Sequence, residues 1–113
     1  VVVADVGLAV AVSNVDEVVA TIRAYERPGD AVVLYTDRNW PVFSYHYAGR
    51  WHKIPHALQV TPDQAEVYLS PIWEAHEGLW LVVTPYAGIN DPQGHVPAWL
   101  DAHATASVEH RYV

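Results

Sequence analysis

Residues 31–36, AVVLYT, and residues 79–84, LWLVVT, are two short apolar runs bounded by turn-forming residues. Both are rich in β-branched side chains, and a polar loop follows each of them. Runs of this kind are typical of strands buried on both faces, which occur in parallel sheets covered by helices on each side. The two runs therefore predict the centre of a parallel sheet.

Helical signals lie before and between the apolar runs. Residues 15–27 carry valine and isoleucine at helical spacing, and residues 61–64, TPDQ, have the pattern of a capping box with proline at the first helical position. Further strands are expected at residues 57–60 and 107–113, loops at 50–55 and 85–95, and a helix at 96–105. Pro71 is expected to kink the helix from residue 62 or to begin a second one.

This alternation of helices and strands implies crossover connections and an α/β fold. We expect a small, mainly parallel sheet of about four strands with helices on both faces, with one more candidate strand in front. The arrangement is Rossmann-like without a dinucleotide motif, because no glycine pattern matches GxGxxG.

The domain organisation follows from length and from the first residues. The chain has 113 residues and no methionine, so a sequence that begins at Val1 is expected to be a piece of a longer protein. Residues 1–14 are interpreted as an N-terminal strand or as a linker from a preceding membrane region. Residues 15–113 form a single α/β domain. No apolar stretch reaches the ~20 residues that a membrane span needs.

Composition excludes several classes of function. The chain has no cysteine, which removes disulfides, thiolate zinc sites and cysteine nucleophiles. Its net charge of −7 argues against a nucleic-acid surface. His46, His52 and His56 fall in one segment, but Pro55 separates the last two and no HExxH pattern occurs. We therefore predict no metal site and no cofactor.

Two loops follow the central strands and hold the polar candidates for a site. In open α/β sheets, ligands bind at the carboxyl ends of the strands. If the two strands are neighbours, Asp37 and Asp91 face one crevice, where paired carboxylates could exchange protons or hold a divalent ion. The alternative is that both are ordinary turn residues.

Aromatic residues crowd the segment from residue 40 to residue 51. They could form an exposed shelf for sugar rings or a partner, or a satellite cluster that caps the sheet. With the loop residues they complete the candidate ligand-binding set, which contains no catalytic residue: Asp37, Arg38, Trp40, Tyr45, Tyr47, Tyr86 and Asp91.

The order of several motifs resembles a known family. The pieces are RPGDAVVLY at residues 27–35, WPVFSYHYAG at 40–49, and GLWLVVTPYAGINDPQGHVPAWLDAHA at 78–104, followed by a final strand. Together they resemble the C-terminal soluble domain of dolichyl-phosphate-mannose protein mannosyltransferase-like enzymes and their bacterial relatives. These are multi-spanning, lipid-sugar-dependent glycosyltransferases.

The resemblance implies a function and a location. The chain would be a non-catalytic domain on the extracytoplasmic side of a membrane, attached to the transmembrane region of the same polypeptide. It would cover the membrane active site or help an acceptor to enter, near a sugar acceptor or a polyprenyl-phosphate sugar donor. The family's catalytic acid lies in an early extracytoplasmic loop that has no counterpart here, so no catalytic residue is carried over.

Two other functions remain open at this point. One is a stand-alone sugar- or nucleotide-binding α/β module that uses the crevice of Asp37 and Asp91. The other is a metal-dependent hydrolase built from the histidine-rich segment.

Overall fold

The computed structural model describes residues 5–10, 15–37, 40–55, 59–84, 87–104 and 106–111. Helices and strands alternate along the chain as an α/β fold. The strands are β1 (Asp5–Val10), β2 (Asp30–Tyr35), β3 (His52–Ile54), β4 (Gly78–Val83) and β5 (Ala106–Arg111). The helices are α1 (Val15–Tyr25), α2 (Trp40–His46), α3 (Pro62–Ala75), α4 (Ala87–Asn90) and α5 (His95–His103).

The strands form one open sheet in the order β3-β2-β4-β1-β5, and every neighbouring pair is parallel. The sheet thus has five strands where about four were expected, and β1 occupies the place of the additional candidate strand in front. Both predicted central runs are interior strands. From Ala31 to Tyr35, β2 is buried at every residue, as expected for a strand covered on both faces.

Two hydrophobic clusters lie on opposite faces of this sheet, because successive side chains of a strand alternate between its faces. Val32 and Leu34 pack with α1 and α2, whereas Val33 packs with α3 and α5. Trp80 belongs to the first cluster and is buried. Helices therefore cover both faces of the sheet.

The connections follow a consistent rule. Those that lead toward the β3 edge, through α1 and α2, use one face, and those that lead toward the β5 edge, through α3 and α5, use the other. A single hand of crossover requires this arrangement. The chain consequently leaves β2 and β4, which are neighbours, toward opposite faces, and a crevice opens at their carboxyl ends.

Two regions need correction. The third strand is His52–Ile54, inside the expected loop. Of the expected strand at 57–60, residues 59 and 60 are not in a strand and 57–58 lie outside the described residues. Ile54 is buried against β2, and Pro55 then ends the strand, since it has no N–H to donate.

The second correction concerns a helix. A short helix, α4, forms within the expected loop at 85–95, with Ala87 in the core. Helix α3 continues through Pro71 to Ala75, so of the two alternatives for Pro71 a second helix does not begin there. The predicted capping box is confirmed: Thr61 Oγ1 accepts from the Gln64 amide at 3.2 Å, and Gln64 Oε1 accepts from the Thr61 amide at 3.1 Å.

Candidate functional site

The crevice at the carboxyl ends of β2 and β4 brings the two predicted loops together. The Tyr35 hydroxyl, at the end of β2, donates a hydrogen bond to Asp91 Oδ2. The next residue, Thr36, donates from Oγ1 to Asn90 Oδ1 at 3.3 Å. The peptide bond between Tyr35 and Thr36 is cis. The loop after β4 therefore contacts the end of β2. Asp37 and Asp91 are both buried, and their facing one crevice stays a prediction.

Asp91 is tied to the start of α5 as well as to β2. Its Oδ1 accepts from the His95 amide at 2.8 Å, and its Oδ2 accepts from the Val96 amide at 2.9 Å. Helix α5 needs these acceptors because its N-cap residue, Gly94, has no side chain with which to cap the first turn. The carboxylate also lies where it favours the helix dipole. Asp91 therefore holds the crevice together.

A second threonine closes the base of the crevice. Thr84, directly after β4, accepts from the Thr36 amide at 3.1 Å, and its hydroxyl lies 3.2 Å from the Tyr35 carbonyl oxygen as a donor. Burial and the neighbouring Asp91 carboxylate raise the pKa of the Tyr35 hydroxyl far above its usual range. Tyr35 thus remains a neutral donor.

Asp37 has a different environment from Asp91. Its Oδ2 lies 3.5 Å from the Lys53 ammonium on β3, and the lysine side chain is 56% exposed while that of Asp37 is 6% exposed. The ion pair therefore spans from the buried crevice to the solvent. Arg38, which follows in the candidate set, lies outside the described residues, as does Tyr86.

The aromatic candidates separate into two groups. Trp40 and Tyr45 on α2 are 47% and 86% exposed. The Trp40 ring lies 6.2 Å from that of Trp51, tilted by 30°. Exposed aromatic surface of this kind can contact a partner or a ring-shaped ligand.

Tyr47 does not belong to that exposed surface. It is buried in the α1–α2 cluster, 5.3 Å from the Phe43 ring, and its hydroxyl donates to Glu26 Oε2 at 3.1 Å. Burial, with the Glu26 carboxylate, raises the pKa of Tyr47 to about 12. Its placement is that of a core residue, since helix α2 ends just before it and directs the ring inward.

Two residues at the ends of β2 and β3, Thr36 and Lys53, were not predicted. Thr36 is buried and hydrogen-bonded to Asn90, which lies in the predicted loop after β4, and Lys53 pairs with Asp37. A polar residue directly after a buried apolar run was the available signal for Thr36. Lys53 had no such signal, because its strand was expected to be a loop.

No protein-family model, curated protein or solved structure matches the chain. Among the described residues, no group of three histidine, aspartate or glutamate side chains is placed to hold a metal ion. Within the same ranges, no helix has both the length and the apolar content needed to cross a bilayer.

Proposed function

We propose that this chain is a non-catalytic domain of a membrane-embedded, lipid-sugar-dependent glycosyltransferase, placed on the extracytoplasmic side. Its Rossmann-like sheet serves as a scaffold, and its exposed α2 face contacts the transmembrane region of the same polypeptide. There it covers the membrane active site or guides an acceptor toward it. The motif resemblance suggests the family. The role is suggested by an aspartate that is engaged within the fold and by aromatic residues that are exposed on α2.

One observation carries this role. At the edge where α/β proteins usually bind ligands, Asp91 accepts three hydrogen bonds from the fold itself, from Tyr35, His95 and Val96. On α2, Trp40 and Tyr45 expose aromatic surface. An acid held in this way stabilises structure, while exposed aromatic rings with a polar tip suit contact with a partner or the membrane interface.

The coding sequence upstream of this segment tests whether the chain belongs to a multi-spanning glycosyltransferase. We expect it to encode roughly eight or more apolar segments, each of about 20 residues. An upstream region without such segments would contradict the proposal.

Transfer activity of the parent enzyme in isolated membranes tests the role. The double variant Trp40→Ala, Tyr45→Ala should lower sugar transfer, while the amount of protein in the membrane stays unchanged. Val67→Ala is the matched control, because Val67 is 68% exposed on α3, away from this surface. Full transfer by the double variant would remove the α2 face from the proposal.

A sugar- or nucleotide-binding module is the second candidate. It is favoured by the tilted rings of Trp40 and Trp51 together with the Asp37–Lys53 ion pair, which lies at the ends of the adjacent strands β2 and β3. Aromatic faces pack on sugar rings or bases, and the charged pair could accept or donate hydrogen bonds.

Tryptophan fluorescence of the purified chain, titrated with sugars and nucleotides, tests this second candidate. Saturable change that Trp40→Ala and Asp37→Asn both abolish would support it. Fluorescence that does not change with any sugar or nucleotide would contradict it.

A further inference from the structure

A cavity of about 400 Å³ opens at the amino ends of strands β2 and β3, opposite the carboxyl ends where Asp91 lies. Its position separates it from the crevice of Asp91, because parallel strands begin at one edge and end at the other. The lining residues come from three places in the sequence. They are Asp30, Ala31, Gly49, Arg50, Trp51, His52 and His76.

Two imidazoles lie side by side in this cavity. The rings of His52 and His76 are 5.6 Å apart at their centroids and nearly perpendicular, at 73°. His76 is anchored by a contact of 3.3 Å between its Nδ1 and the Gly29 carbonyl oxygen. Both rings are half-buried. Neighbouring imidazoles disfavour each other's protonation unless an anion lies beside them.

The acidic groups near the cavity are largely engaged elsewhere. Asp30 Oδ2 accepts from the Arg27 amide at 2.9 Å and from Trp80 Nε1 at 3.2 Å, and its Oδ1 lies 4.0 Å from the Arg27 guanidinium. The Glu77 carboxylate lies against Gly29 at the rim, where an added Cβ would be 3.3 Å from Oε2. Asp30 is therefore offset by Arg27, and Glu77 is the acid that opposes an incoming anion.

Arg50 and Trp51 complete the lining. Arg50 is exposed and brings a guanidinium, which pairs with phosphate or carboxylate through two parallel hydrogen bonds. Trp51 is half-buried, with its ring 6.4 Å from that of Phe43, and it forms an apolar part of the cavity wall. The described residues supply no third metal ligand beside the imidazoles, so the chemistry favours an anion over a metal ion.

We propose that this cavity is a binding site for a small organic oxyanion. Its phosphate or carboxylate group lies among Arg50, His52 and His76, and its carbon skeleton packs on the Trp51 indole. This inference is independent of the proposed function, since the cavity lies at the amino ends of the strands.

The site should respond to pH. Desolvation, and then the neighbouring His76, lower the pKa of His52 below its ordinary value. A bound anion offsets both effects and raises the pKa of His52. Affinity should therefore rise as the pH falls from 7.5 to about 5.5, across the usual histidine range. The charged groups that set this response are Asp30 with Arg27, Arg50, His76 and Glu77.

Histidine side-chain NMR of the purified 113-residue chain tests the proposal, with sulfate as a probe whose charge is constant over this range. His52→Gln and His76→Gln assign the two resonances. Sulfate should shift both of them saturably, and the pKa of His52 should rise. Absence of saturable shifts at both pH values would overturn the site.

Charge-removing variants test the part that each charged side chain plays in binding the anion. Arg50→Gln should weaken binding at least tenfold, whereas Arg23→Gln, the matched control on α1, should leave it unchanged. Glu77→Gln should strengthen it. Equal weakening by Arg23→Gln would indicate a general charge effect and overturn the site.

Two pairs of ligands distinguish phosphate from carboxylate and test the contact with the Trp51 indole. They are phenyl phosphate with inorganic phosphate, and benzoate with acetate. The ring-bearing ligand should bind more tightly in each pair, and Trp51→Ala should remove that advantage. Equal affinities within both pairs would overturn the part assigned to Trp51. Circular dichroism of each variant confirms that it is folded.

Discussion

The Tyr35 hydroxyl donates a buried hydrogen bond to the carboxylate of Asp91, 56 residues further along the chain. The contact joins the end of β2 to the first turn of α5, because the same carboxylate accepts from two amides of that helix. One side chain therefore organises the sheet edge and the helix that leads to the last strand.

Tyr35→Phe should lower the free energy of unfolding by about 1.5–3 kcal/mol, since it removes one buried hydrogen bond to a charged acceptor and leaves the ring in place. Urea unfolding measures the change. Tyr45→Phe is the matched control, because Tyr45 is 86% exposed, and it should change nothing. Equal effects of the two substitutions would contradict the importance of the Asp91 contact.

Trp80→Ala should destabilise the protein by about 3–5 kcal/mol, because it leaves a cavity in the core beside β4. The indole is 6% exposed and also donates to Asp30. Trp40→Ala removes the same side chain at a position that is 47% exposed. Guanidinium unfolding should therefore show a clearly smaller change for Trp40→Ala, and a loss near zero for Trp80→Ala would place its ring outside the core.

Thr61→Ala should lower stability by about 1 kcal/mol, as the loss of an N-cap side chain does. It removes the acceptor for the Gln64 amide at the start of α3. Thermal unfolding followed by circular dichroism measures the effect. Thr61→Ser keeps the hydroxyl and should restore most of the stability, so a serine variant as weak as the alanine one would argue against capping.

Acid should destabilise the protein partly through His52. Its pKa is lowered in the folded chain, mainly by burial, so the unfolded chain takes up a proton first as the pH falls below about 6.5. The corresponding stability is present above that pH and is lost toward the folded-state pKa.

In His52→Gln, the free energy of unfolding should therefore depend less on pH between about 6.5 and 5. Urea titrations at several pH values measure this slope. His46→Gln, at an exposed position on α2, should keep the parent slope. A slope that stays the same in His52→Gln would show that other groups cause the acid response.

Much of the architecture could be predicted from local patterns. The run from Ala31 to Tyr35 is apolar at every position, which a strand covered on both faces requires, and the structure buries each of these residues. The capping box at Thr61 also predicted the start of α3, because its hydrogen bonds form within a single turn.

The site was predictable only in part. Asp37 and Asp91 could be assigned to the same end of the sheet, because the carboxyl ends of parallel strands lie together. The partners that give each its role are distant in sequence, namely Lys53 for Asp37 and Tyr35 for Asp91. Tyr47 was placed in the candidate ligand-binding set, with a satellite cluster as the alternative for its segment, and packing against α1 buries it in the core.

Local patterns were enough to predict the α/β class, the two central strands and the start of α3, because these depend on periodicity and on hydrogen bonds between near neighbours. The cavity shared by His52 and His76 and the hydrogen bonds of Asp91 within the fold are visible only in three dimensions. Strand order sets those contacts, and order depends on which hydrophobic faces pack together across the whole sheet, which no local pattern encodes.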